Sequence, residues 1–146
     1  MRILILFPIV YFILIANAPL LAQQKHDTKI VVTATDTVNL FKRVALYLLD
    51  QGYTIENKYD DLQSLTTGAH EWTGLTAATY KIGVRVNGSE ITFTGQMRLE
   101  VAILGTQPSS YDLIDYRPSK QHMYHKVWDW METIAKHFGT EIKYEK

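Results

Sequence analysis

The chain has 146 residues, 15 basic and 15 acidic side chains, five histidines and no cysteine. Zero net charge gives no general electrostatic pull toward nucleic acid or an anionic membrane, and the missing cysteine excludes both a disulfide framework and a bacterial-type lipoprotein anchor. A composition of 47% hydrophobic and 21% charged residues belongs to a packed globule rather than a disordered stalk.

The N-terminus has the three-part form of a secretory signal. Met1-Arg2 supplies a positive end, Ile3 to Ile15 is an unbroken apolar run, and small residues follow at Ala16, Ala18 and Ala22. Cleavage after Ala18 would place Pro19, with its fixed φ, in the protease cleft, so cleavage is expected after Ala22. The apolar run is shorter than the ~20 residues a spanning helix needs, so no stable membrane span is expected after cleavage. Residues 1–22 are thus read as a signal peptide and 23–29 as a polar leader. Residues 30–146 are read as a single domain, and the exported chain of 124 residues is large enough for one core and too small for two.

Ile30-Val31-Val32 reads as a first strand. Asp36 is a suitable cap for a helix over Thr37 to Gln51, with Val38, Phe41, Val44, Ala45, Leu48 and Leu49 as its apolar stripe. Gly52 ends that helix in the left-handed region. Tyr53 to Tyr59 alternates as a second strand, Asp60-Asp61 turns the chain, and Leu62 to Thr67 forms a third. Asn87-Gly88 suits a type I′ hairpin turn, which pairs Arg85 with Glu90, Val84 with Ile91, Ile82 with Phe93 and Tyr80 with Gly95. Val84, Ile91, Ile82, Phe93 and Tyr80 then share a buried face, while Arg85, Glu90, Lys81, Thr92, Thr94 and Gln96 share a wet one. A long connector, Gly105 to Ser119, leads to a helix over Lys120 to His137. Ser119 is its cap, and Met123, Val127, Trp130, Met131, Ile134 and Phe138 form its inward stripe. Gly139 closes it, and Thr140 to Tyr144 supplies a possible edge strand. The expected fold is α+β: an antiparallel sheet of four to five strands with two helices packed on one face, in the order β-α-β-β-β-β-α with a possible further strand.

The helix segment Val38-Asn39-Leu40-Phe41-Lys42-Arg43-Val44, the exit Gly52-Tyr53-Thr54-Ile55, and the hairpin from Tyr80 to Gly88 with Ile91-Thr92-Phe93-Thr94 together resemble small exported Bacteroidetes domains of unknown function. Those domains have a TBP-like or helix-grip arrangement, and the resemblance spans roughly Ile30 to Phe138. It implies a fold and a compartment and carries over no reaction and no site.

Several residues invite a chemical reading. His122, His125 and Asp129 fall on one face of the last helix and could ligate zinc or copper, but no fourth ligand stands at a diagnostic spacing. They are read as a solvated face opposite the Trp130 stripe, with His125 and Asp129 an ordinary i,i+4 pair. The wet sheet face, with Thr79, Lys81, Arg85, Thr92, Thr94, Gln96 and Arg98, suits an anionic or sugar ligand. It is read as lacking the stacking aromatics that nucleic acid would need. His70-Glu71-Trp72 in a loop from Gly68 to Ala78, and Tyr111, Ile114 and Tyr116 in the long connector, place aromatic and titratable groups where binding residues concentrate. No nucleophile elbow, phosphate loop or calcium loop is present, and no cofactor is implied. The leading expectation is a periplasmic or secreted, non-catalytic module binding an envelope protein or small ligand through Lys81, Arg85, Thr92, Thr94, Gln96, Trp72, Tyr111 and Tyr116. The alternatives are a small hydrolase or metal-dependent enzyme using His70, Glu71 or the His122/His125 pair, and a structural subunit of an envelope complex.

Overall fold

A computed structural model describes residues 23–72, 77–100, 110–120 and 122–146; the expected signal peptide, its cleavage point at Ala22 and residues 105–109 of the connector lie outside these. The described elements run β1 (Lys29–Thr33), α1 (Leu40–Asp50), β2 (Ile55–Tyr59), β3 (Ser64–Thr67), β4 (His70–Trp72), β5 (Ala78–Asn87), β6 (Glu90–Leu99), β7 (Asp112–Leu113), α2 (Met123–Phe138) and β8 (Glu141–Glu145). The α+β class stands. The strands form one antiparallel sheet in the order β2-β3-β5-β6-β1-β8, with β4 beside β5 and β7 beside β6. Eight strands are described where four to five were expected, because β4 and β7 are short pieces of segments that read as loops.

The β5–β6 hairpin is the spine. Each of its two strands spans ten residues, long enough to carry two shorter strands in line along its free edge. On β5, β3 pairs at 83–85 and β4 at 78–80; on β6, β1 pairs at 90–94 and β7 at 96–97. β1 is therefore interior, flanked by β6 and β8.

The hairpin differs from expectation by two residues. Asn87 faces Glu90 across a turn centred on Gly88 and Ser89, with Gly88 at φ 60°, and Arg85 faces Thr92 rather than Glu90. Asn87 is not in the left-handed region, and glycine stands at the first central position, as a type II′ turn requires. A shift of two preserves the face of every side chain, so Tyr80, Ile82, Val84, Ile91 and Phe93 are all buried as expected. It changes only who faces whom. Gly95 now faces Ile82 rather than Tyr80, and the space a Cβ would fill at Gly95 is taken by Ile114 and by Met131 of α2.

Both helices pack on this inner face, with Leu40, Phe41, Val44, Ala45 and Leu48 from α1 and Val127, Trp128, Met131, Ile134, Ala135 and Phe138 from α2. Three helix details depart from the sequence reading. Asp36 does not cap α1: its carboxylate accepts from the Val38 N–H and Arg43, and the helix begins after Asn39, which sits at φ 50°. Val38 and Leu49 consequently lie outside the core, and Leu40 lies within it. In α2 the cap is His122 rather than Ser119, its Nδ1 accepting from the Tyr124 N–H at 3.2 Å. The tryptophan that enters the core is Trp128, fully buried, whereas Trp130 is 43% exposed.

The expected polar leader is also tied down. Asp27 is buried and its carboxylate accepts from the Gln24 N–H, the Tyr116 N–H donates to the Asp27 carbonyl, and the His26 N–H donates to the Tyr116 carbonyl. Among the described residues no helix is long and apolar enough to cross a membrane.

Candidate functional site

Strand alternation sends Thr79, Lys81, Gly83 and Arg85 of β5 and Thr92, Thr94, Gln96 and Arg98 of β6 to the face without helices. The registers align these into rows. Ser64, Arg85, Thr92, Val31 and Lys143 follow one another across five strands; beside them run Thr66, Gly83, Thr94, Lys29 and Glu145. Gly83 has no side chain to raise the floor, and the place its Cβ would take lies 2.6 Å from the Thr94 hydroxyl. The result is an open trough of about 490 Å³, lined by Ser64, Thr66, Gly83, Arg85, Thr92 and Thr94, with Tyr59 at its wall.

Most cations on this face have an acid beside them. Lys81 donates to Glu56 at 2.5 Å, Arg98 to Glu100 at 2.7 Å, and Lys29 and Lys143 stand 4.0 and 3.9 Å from Glu145 and Glu90. The Arg98 hydrogen bond holds the Glu100 carboxyl below the usual carboxylate range. Arg85 differs. The two-residue register shift takes it away from Glu90, and among the described residues it has no acidic partner. An exposed guanidinium amid four hydroxyl-bearing side chains is a ready acceptor-binding point, since it offers five N–H donors in a fixed plane.

Tyr111 stands farther along the same face, outside the trough. Its hydroxyl lies 3.1 Å from Thr79 Oγ1, and Lys81 and Arg98 stand 5.0 and 5.1 Å from its ring centre. Both distances are within cation–π range. With Tyr59, this gives the outer face two aromatics, correcting the expectation that it carried none. Tyr59, Ser64 and Thr66 were missed as site residues, although Ser64 and Thr66 alternate with buried Leu65 and Thr67.

The eight expected site residues therefore separate. Lys81, Arg85, Thr92, Thr94, Gln96 and Tyr111 share the outer face, with Gln96 in register with Lys81 and Leu113. Trp72 instead packs its ring 5.7 Å from that of Trp130, under Lys126, and Tyr116 packs against Trp128 and His125.

The possible enzymatic groups also part. His70 and Glu71 are adjacent in β4, so their side chains take opposite faces: His70 reaches the Tyr53 and Tyr80 rings, while Glu71 lines a separate hollow with Thr79 and Glu100. His125 is buried rather than solvated. Its Nδ1 donates to the Arg117 carbonyl at 2.7 Å, and its Nε2 lies 3.4 Å from Asp129. His122 precedes the helix and turns its Nδ1 to the backbone. Among the described residues no three His, Cys, Asp or Glu side chains are grouped to hold a metal ion.

No protein-family model matches the chain, and no curated protein matches it.

Proposed function

We propose that the protein is an exported, non-catalytic binding module of the bacterial cell envelope, which engages an acidic or acceptor-rich partner through the trough on its outer sheet face. The N-terminal signal-like segment supports export. The observation that carries the binding role is Arg85, an exposed cation without an acidic partner among the described residues, set among the hydroxyls of Ser64, Thr66, Thr92 and Thr94 in a trough with Tyr59 at its wall. Such a face recognises carboxylate or polyhydroxylated groups through the guanidinium fork and through hydroxyls able both to donate and to accept.

The test is co-purification from envelope extracts with Arg85→Glu, using Lys126→Glu on the opposite side as control. The charge reversal is expected to remove partners that the wild type and the control retain. Identical partner sets for all three proteins would refute the trough as the binding surface.

A further inference from the structure

On the other side of the sheet, a second hollow of about 260 Å³ opens between the end of α1, the middle of α2 and strands β4 and β5. Its walls are largely aromatic. The Tyr80 ring lies 5.6 Å from that of Trp130 and 6.4 Å from that of Tyr53, and His70 stands 5.2 and 5.3 Å from Tyr53 and Tyr80. The volume lies below the ~300–1,000 Å³ typical of drug-sized ligands, which suits a single ring.

The hydrogen-bond inventory of this hollow is incomplete. The Tyr53 and Tyr80 hydroxyls face each other at 3.3 Å. Each phenol carries one proton, and one contact between them uses only one of the two. The second proton finds no acceptor among the described residues, although Tyr80 is only 1% exposed. Burial pushes both phenols above their ordinary range, so both remain neutral donors at any physiological pH. The exposed His70 imidazole has ring contacts but no side-chain hydrogen bond among the described residues, and Gln51 and Thr133 complete the polar rim. Among the described residues no Lys, Arg, Asp or Glu lines the hollow.

We propose that this hollow binds one neutral pyranose unit, its C–H face against Trp130 and Tyr80 and its hydroxyl edge toward Tyr53, Tyr80, His70 and Gln51. An anion would meet no countercharge there. A purely apolar ring would leave the spare phenol proton unpaired, at a cost of about 1–3 kcal/mol for a buried donor. A sugar ring alone among these classes offers both a face that packs on aromatics and an edge of acceptors. At the ligand efficiency of small molecules the dissociation constant is on the order of millimolar.

The experiment is a heteronuclear NMR titration of the purified protein with glucose, galactose and N-acetylglucosamine, beside glucuronate and p-cresol. At least one neutral sugar is expected to shift the Trp130 indole and His70 resonances saturably, with glucuronate and p-cresol binding at least tenfold more weakly. Trp130→Ala and Tyr53→Phe should each weaken that sugar at least tenfold while keeping a folded spectrum, and Arg85→Glu should leave it unchanged. No saturable shift with any neutral sugar, shifts confined to the outer trough, or tighter binding of glucuronate or p-cresol would each overturn the proposal. So would wild-type affinity in the folded Trp130→Ala or Tyr53→Phe protein.

Discussion

Asp115→Asn tests how the segment after the expected cleavage point is held to the domain. The Asp115 side chain is 12% exposed, and its carboxylate accepts from His26 Nδ1 at 2.5 Å and from Arg117 Nε at 2.7 Å. Around it, backbone hydrogen bonds join Asp27 and His26 to Tyr116. Burial alone would raise the Asp115 carboxyl, but the His26 and Arg117 hydrogen bonds outweigh it and hold the group below the usual carboxylate range. Hydrogen bonds to charged groups contribute about 1.5–3 kcal/mol each. The His26 and Arg117 side chains are 55% and 38% exposed, so water recovers much of what either would lose, and an asparagine oxygen still accepts one bond. The expected cost is about 1–2 kcal/mol, on the order of a 1 M fall in urea midpoint. The sign of the pH dependence follows from the lowered value. The contribution is complete above the unfolded carboxyl value of about 3.9 and disappears as pH falls through the lower folded value. Urea melts of both proteins at pH 7, 5 and 2.5 should therefore show a constant gap at the first two and a narrowed one at the last. A gap equally wide at pH 2.5, or no gap at pH 7, would refute the reasoning.

Three further outcomes follow from glycines. Gly139→Ala should destabilise by about 3 kcal/mol, because a Cβ there would lie 2.0 Å from the Thr33 carbonyl oxygen, and relief requires moving the β1–β8 backbone. Gly52→Ala, at φ +87° but in open space, should cost only about 1–2 kcal/mol; urea melts placing Gly139→Ala at or below that value would show that the close approach is not as described. Gly83→Val should fill the trough floor against the Thr94 hydroxyl, so envelope partners lost with Arg85→Glu should also be lost with Gly83→Val while circular dichroism stays native.

The sequence was most legible where a period was long. Ten-residue strands with clean alternation placed Tyr80, Ile82, Val84, Ile91 and Phe93 inward correctly, because a face depends only on parity. Partners depend on where the turn sits, and Asn87-Gly88-Ser89 admits two centres: one uses Asn87 and Gly88 at positive φ, the other Gly88 alone. The same ambiguity operates on α2, where Trp128 and Trp130 are two residues apart and therefore about 200° apart around the helix. Either could head an apolar stripe, and the buried one is selected by the neighbouring Tyr116 and Tyr144 rings from segments distant in sequence. β4 and β7 were illegible for a different reason. Two or three residues carry no period at all, and they become strands only because the long edges of β5 and β6 leave unpaired backbone beside them.

The site shows the same division between parity and partnership. Lys81, Arg85, Thr92, Thr94 and Gln96 were found because alternation alone sends them outward. What gives Arg85 its significance is a contact it lacks, and that absence is set by the turn: with Arg85 opposite Glu90 the face would carry a neutral cross-strand pair, worth about 0.2–1 kcal/mol and nothing to a ligand. Moving the register by two hands Glu90 to Lys143 and leaves the guanidinium among hydroxyls. The single conformational choice at Gly88 therefore both closes the hairpin and frees the charge on which the outer face depends. The Tyr53–Tyr80 pair on the opposite face was invisible for the converse reason. Tyr53 lies just outside its strand and Tyr80 reads as core, and only the fold brings their hydroxyls together with one proton to spare.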